Sequence, residues 1–224
     1  MDITELSKRI DHSLLKPFFT DDDLREGCEI AKKYEVASMC VRPTDVPLVS
    51  RELEDSGIPT CTVIGFPHGT TTTATKIAES RDALNSGATE LDIVQNIGRF
   101  KSGHYQFVQQ ELKHLTDLAH ESEAKVKIIF ENCYLEDDEI VRMVEICNDI
   151  GVDWIKTSTG FGSGGAEVDD VKLMIKHAAE DVQVKASGGI RTLEDALTMK
   201  ELGCTRIGAS ATVQILEEFK KRKS

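Results

Sequence analysis

GVDWIKTSTGFGSGG, residues 151–165, sets a lysine directly after two large apolar residues and ahead of a glycine-rich run. Trp154 and Ile155 read as the buried part of a β-strand, and the run after Lys156 reads as a loop. Taking an ammonium out of water is costly unless something compensates it. Lys156 is therefore either an ordinary edge charge or a lysine placed for its chemistry. A lone strand lysine is more often a rim charge, so the question turns on what the other strands set around it.

Moving outward, short β-type runs alternate with longer amphipathic segments along the whole chain. The strand candidates are RIDHSLL (9–15), VASMCVRP (36–43), TCTVIGFP (60–67), TELDIVQNI (89–97), KVKIIFENC (125–133), DWIKTSTG (153–160), VQVKASGG (182–189) and TRIGASA (205–211). Helical patterns lie between them. The one over 20–35 opens on a capping Thr20 and three aspartates at the positive end of the helix dipole. Several of these segments end in glycine, as helix C-termini often do. No linker or low-complexity tract interrupts the alternation, so residues 1–224 read as a single domain. Strands joined by crossover helices are parallel. Eight of them in a chain of 224 residues predict a closed α/β architecture, the (β/α)8 TIM barrel, with an open doubly wound sheet as the alternative.

Side chains alternate between the faces of a strand, and a barrel has its active site at the C-terminal ends of its strands. In TELDIVQNI, Leu91 and Ile93 share the face expected to meet the helices, which leaves Glu90, Asp92, Val94 and Asn96 pointing inward. The same reasoning turns Trp154, Lys156 and Ser158 inward, and likewise Gln183, Lys185 and Ser187, with Ile155, Val182 and Val184 outward. Lys156 and Lys185 then lie on neighbouring strands, with Asp92 across the barrel. Burial and a nearby second ammonium both disfavour a charged lysine. An unprotonated amine attacks carbonyls and forms Schiff bases, and an aspartate with water can move the protons that follow.

Three stretches rich in Gly or Ser follow the last strands, and backbone N–H groups at helix starts bind anions. The phosphate site of such barrels commonly follows the seventh and eighth strands. Gly188, Gly189 and Ser210 are the expected donors, assisted by Gly160 and Ser187; the alternative is that each loop is only a βα turn.

Composition narrows the rest. Charged residues make up 29% and hydrophobic ones 40% of the chain, which suits a folded soluble protein. No apolar run is long enough to cross a membrane, and no secretory signal is visible, so the expected location is the cytoplasm. A net charge of −12 argues against nucleic acid or an anionic membrane as partner. The six cysteines, without a C-x-x-C pair, read as cytosolic thiols, mostly packing residues; Cys40 is a packed thiol or one open to aldehydes. Six histidines without H-x-H or H-x-x-x-H spacing argue against a catalytic zinc site, so neither metal nor cofactor is expected. Lys76 and Lys101 read as positive charge at the barrel mouth or as surface lysines. His114, His120 and His177 are expected to face solvent, and the basic end EEFKKRKS to close a helix.

IDHSLLKP, MCVRP, VIGFPHG, ATELDIVQNIGRFKSG, VDWIKTSTGFG, VKASGGIRT and RIGASA occur in this order over nearly the whole chain. Together they resemble the deoxyribose-phosphate aldolases, a family of class I aldolases. The resemblance implies reversible cleavage of 2-deoxy-D-ribose 5-phosphate into D-glyceraldehyde 3-phosphate and acetaldehyde through a lysine Schiff base. It implies that Lys156 is the Schiff-base residue, Asp92 the proton donor and acceptor, and Lys185 the residue that tunes and relays. Asp11 matches a supporting acid, with Lys16 later in the same motif, and Gly160, Gly188, Gly189 and Ser210 match the phosphate cradle. Ala211 stands where many members have a second serine, which leaves a backbone N–H to serve there. Some members end in a tyrosine that assists proton transfer, whereas this chain ends KKRKS; that departure implies slower proton exchange. The implied partners are a small sugar phosphate and aldehydes, and a monomer and a homodimer both fit. A sugar-phosphate sensor without turnover and another Schiff-base barrel, such as a transaldolase, are the competing readings.

Overall fold

The computed structural model describes residues 2–223. Eight parallel strands close into a barrel in the order of the chain: β1 (Ile10–Leu14), β2 (Ser38–Val41), β3 (Thr60–Ile64), β4 (Glu90–Val94), β5 (Lys125–Ile129), β6 (Trp154–Lys156), β7 (Gln183–Ser187) and β8 (Arg206–Ala209). The open-sheet alternative falls because β1 also pairs with β8, Asp11 lying opposite Gly208. The connecting helices are α1 (Ile3–Ser7), α2 (Asp21–Tyr34), α3 (Val46–Glu52), α4 (Thr73–Asn85), α5 (Ile97–Lys101), α6 (Tyr105–Glu121), α7 (Asp137–Ile150), α8 (Val168–His177), α9 (Leu193–Leu202) and α10 (Thr212–Lys223). Short α1 and α5 carry too little periodicity to show in the sequence. The basic C-terminal segment continues α10, and Ser224 lies outside the described residues.

Local chemistry sets the helix ends as expected. Thr20 and Asp23 form a reciprocal capping box at the start of α2. Gly151 closes α7 at φ 77°, a left-handed conformation that costs glycine little. The face assignment also holds for the apolar set. Leu91, Ile93, Ile155, Val182 and Val184 all join the core between barrel and helices, each buried side chain stabilising the fold by about 2 kcal/mol. Two expected inward residues do not follow the pattern. Asn96 lies beyond the end of β4 and caps α5, accepting a hydrogen bond from the Arg99 N–H at 3.2 Å. Gln183, the first residue of β7, is exposed at the rim.

Lys76 departs from both of its sequence readings. It is fully buried on the inner face of α4, donating to the Glu111 carboxylate at 2.7 Å and the Val94 carbonyl at 2.8 Å. Lys101 is a surface residue paired with Glu139 at 2.7 Å. His114 and His120 are exposed, His120 against Asp153 at 2.8 Å, while His177 is half-buried.

His12 packs against α10, its Nδ1 2.8 Å from the Thr212 hydroxyl, and its Nε2 is buried without a hydrogen-bond partner. Burial pushes its pKa down to about 4, below the roughly 6.5 of an unfolded chain. The native state therefore holds the neutral ring, and stability present above pH 6.5 is lost as pH falls toward 4, by about 3 kcal/mol. Chemical denaturation at pH 7.5 and pH 4 should show wild type losing that much more than His12→Asn; equal losses would refute the assignment.

Candidate active site

The barrel interior is a layered cluster of opposite charges. Asp92, at the centre of β4, has no exposed surface. Its Oδ2 accepts from Lys156 Nζ at 2.7 Å and Lys185 Nζ at 2.8 Å. Its Oδ1 accepts from Lys127 Nζ at 2.8 Å and faces the Cys61 thiol at 3.2 Å. Lys156 and Lys185 are direct register partners across β6 and β7, which is why both reach one carboxylate. Lys185 also donates to Asp11 Oδ2 at 2.5 Å, and Arg206 holds Asp11 Oδ1 at 2.6 Å. One layer lower, Glu90 accepts from Lys127 at 2.5 Å and from both guanidinium nitrogens of Arg206, at 2.8 and 3.1 Å. Arg206 stacks on Trp154, 4.7 Å from the ring centre.

Burial opposes ionisation of Asp92, but Lys127, Lys156 and Lys185 outweigh it and hold its carboxyl well below the usual range. Asp11 is held low in the same way, burial being overcome by Lys185, Lys127 and Arg206. Burial likewise opposes the Lys185 ammonium, yet Asp11 and Asp92 hold its pKa above the ordinary lysine value. Lys185 is thus a fixed cation.

The four cations Lys127, Lys156, Lys185 and Arg206 face three carboxylates, Asp11, Glu90 and Asp92. Full ionisation leaves one positive charge in excess inside the barrel. Lys156 has a single carboxylate partner, against two or more for the others. It is also the member that lines the cavity at the strand ends.

That cavity, of about 310 Å³, opens at the C-terminal face and brings Lys156 together with Gly160, Ser187, Gly188, Gly189 and Ser210. Lys16 and Arg191 also line it. Its wall needs glycine at position 188: φ is +86°, and a Cβ there would lie 3.0 Å from the Gly165 backbone. The β6 and β7 loops thereby touch, the Ala166 N–H donating to the Gly188 carbonyl at 3.0 Å. Glu131 anchors the same loop. Buried and left-handed at φ 59°, it accepts from the Thr159 backbone N–H at 3.1 Å and from the Thr159 hydroxyl. A larger open groove of about 770 Å³ around Pro59 and Gly87 lies at the opposite end of the strands, away from this cluster.

Lys156, Lys185, Asp92 and Asp11 are therefore in one contiguous network, and the five expected anion-binding residues line one wall beside it. Sequence reading missed Lys127, Arg206 and Glu131. Lys127 and Arg206 sit at inward positions of KVKII and TRIGA, and the alternation applied to β4, β6 and β7 would have found both.

The closed parallel barrel thus holds, at its C-terminal mouth, a buried lysine paired with a carboxylate, an arrangement suited to carbonyl chemistry. The chain belongs to the DeoC/LacD aldolase family, whose model matches residues 1–216. It is 48% identical over 218 residues to a deoxyribose-phosphate aldolase of Rhodopirellula baltica, covering 97% of this chain and 90% of the relative. Among solved structures it is similar to "QR15, an Aldolase", with a TM-score of 0.92, 41% identity and coverage of 98% and 97% of the two chains. A tetrameric deoxyribose phosphate aldolase from Aeropyrum pernix matches with a TM-score of 0.92 at 33% identity, covering 99% of this chain and 93% of the other. No helix among the described residues is long and apolar enough to cross a membrane.

Proposed function

We propose that this aldolase reversibly cleaves 2-deoxy-D-ribose 5-phosphate into D-glyceraldehyde 3-phosphate and acetaldehyde, with Lys156 as the Schiff-base residue. The observation that carries the reading is the single contact of Lys156 Nζ with Asp92 at 2.7 Å, at the edge of the cavity and inside a cluster with one cation too many. The Lys156 amine adds to C1 of the open-chain sugar, and loss of water leaves an iminium. Asp92, or a water it holds, takes the proton from the C3 hydroxyl, the C2–C3 bond breaks, and its electron pair enters the iminium as an enamine. Glyceraldehyde 3-phosphate leaves; protonation at C2 and hydrolysis release acetaldehyde and the free lysine. Lys185 and Asp11 keep Asp92 oriented throughout.

The phosphate is assigned to the wall formed by Gly160, Ser187, Gly188, Gly189 and Ser210. Local charge supports this despite the acidic chain. The first turn of α9 already carries Glu194 and Asp195, whereas that of α10, just after Ser210, carries no acid, which leaves its positive end to an anion. Lys16 and Arg191 add cations at the same wall.

An assay that couples triose phosphate release to NADH oxidation tests the reaction; ligand binding without release would support the sensor reading instead. Ser210→Asp should raise KM for the phosphorylated sugar at least about tenfold through repulsion, with little change for unphosphorylated 2-deoxyribose. Equal losses on both substrates would remove the phosphate from this wall. The tetramer belongs to the Aeropyrum pernix relative; for this chain, association into a homodimer or larger assembly is a proposal that light scattering would decide.

A further inference from the structure

The catalytic account leaves two thiols inside the barrel without a role. Cys40 and Cys61 are direct register partners on β2 and β3, and neither has any exposed surface. Adjacent strands lie about 4.8 Å apart, within the Cα separations of about 4.4–6.8 Å that a disulfide spans. Both sulfurs and an Asp92 carboxylate oxygen fall within 4.8 Å of one another. Cys61 Sγ is 3.2 Å from Asp92 Oδ1 and accepts from Lys127 Nζ at 3.3 Å. We propose that Cys40 and Cys61 form a dithiol–disulfide couple inside the barrel, that a small hydroperoxide oxidises it, and that the disulfide slows turnover by withdrawing Cys61 from Asp92.

The two thiols are not equivalent. The neighbouring Cys61 side chain, outweighing burial, lowers the pKa of Cys40, while burial chiefly raises that of Cys61. The thiolate is the nucleophile in such chemistry, so Cys40 attacks first. Its sulfur takes one oxygen of the hydroperoxide as the O–O bond breaks, giving a sulfenic acid, and the departing alkoxide or hydroxide takes up a proton. Cys61 sulfur then attacks Cys40 sulfur, the S–S bond forms, the S–O bond breaks, and the hydroxide leaves with the Cys61 proton as water. The two thiols lose two electrons in total, and the hydroperoxide gains them. Leu15, which lines the cavity, packs against the cluster that contains Cys40 and Cys61, so the two thiols lie directly behind its wall. Two thiols and a carboxylate so close could also ligate a thiophilic metal ion. Lys127, 2.8 Å from Asp92 Oδ1 and 3.3 Å from Cys61 Sγ, opposes a divalent cation there but not a neutral disulfide.

Bond formation itself does not depend on the proposed function; its effect on rate rests on the role given to Asp92 above. Fully reduced protein is treated with hydrogen peroxide in the presence of a chelator, quenched with catalase, alkylated and digested. A Cys40–Cys61 linked peptide pair should accumulate in step with a roughly tenfold loss of turnover, the effect of one hydrogen bond, and dithiothreitol should reverse both. Cys40→Ala, whatever its starting rate, should keep that rate through the same treatment, and Cys61→Ala should give no linked pair. Singly oxidised Cys40 without a link, or no change at either thiol, overturns the couple. A linked pair with unaltered turnover overturns its control of Asp92, and the peptide result stands even if the assigned substrate proves wrong.

Discussion

Borohydride added with acetaldehyde should leave one ethyl group on Lys156 and none on Lys127 or Lys185, read by peptide mass spectrometry. All three amines are buried, so accessibility alone does not select among them. Selection comes from the partners. Lys185 is shared between Asp11 and Asp92, and Lys127 is held by Glu90 and Asp92 with Asp11 at 3.6 Å. Lys156 gives up only one such contact to become a nucleophile. Lys156→Ala should therefore lose at least about a thousandfold in kcat, the scale on which removing a nucleophile acts, while the barrel stays folded because a charge and its desolvation cost leave together. An adduct on Lys185 instead, or near-normal turnover of Lys156→Ala, would sink the mechanism.

Lys185→Leu should be nearly as severe, for a different reason. Removing this fixed cation leaves three cations facing three carboxylates and takes one of the two ammonium donors away from Asp92 Oδ2. Turnover at pH 7 should fall by about two orders of magnitude or more, because Asp92 loses the partner that orients it beside Lys156. The variant should also lose about 3–5 kcal/mol of stability, since Asp11 and Asp92 lose a shared buried partner. Lys185→Leu combined with Asp11→Leu separates the two effects: removing a buried acid with its base should restore much of the stability but not the rate. Recovery of both would reduce Lys185 to a structural brace.

The aldolase family and the barrel were legible early because both depend on order along the chain. Strand runs alternate with amphipathic segments, and the motifs around Asp11, Asp92, Lys156 and Lys185 occur at strand positions that alternation turns inward. The same logic reached Glu90 but stopped short of its partners. Nothing local in KVKII marks Lys127 as a bridge between Glu90 and Asp92, because the bridge exists only once β4 and β5 pair in register, Asp92 opposite Lys127. Arg206 acquires its role only when β8 returns to β1. Lys76 shows the opposite case: a lysine in an ordinary helical pattern, buried because Glu111 from α6 meets it.

The sequence by itself determined the periodicities, the capping of α2 and α7, and which strand residues turn away from the helices. All of these follow from covalent geometry and contacts a few residues apart. Closure of the barrel decided the rest: which cation meets which carboxylate, that positive charge exceeds negative by one inside, and that two thiols from β2 and β3 meet beside Asp92. Charge balance in a space closed to water is a sum over residues far apart in the chain, and folding is what brings those residues within reach of one another.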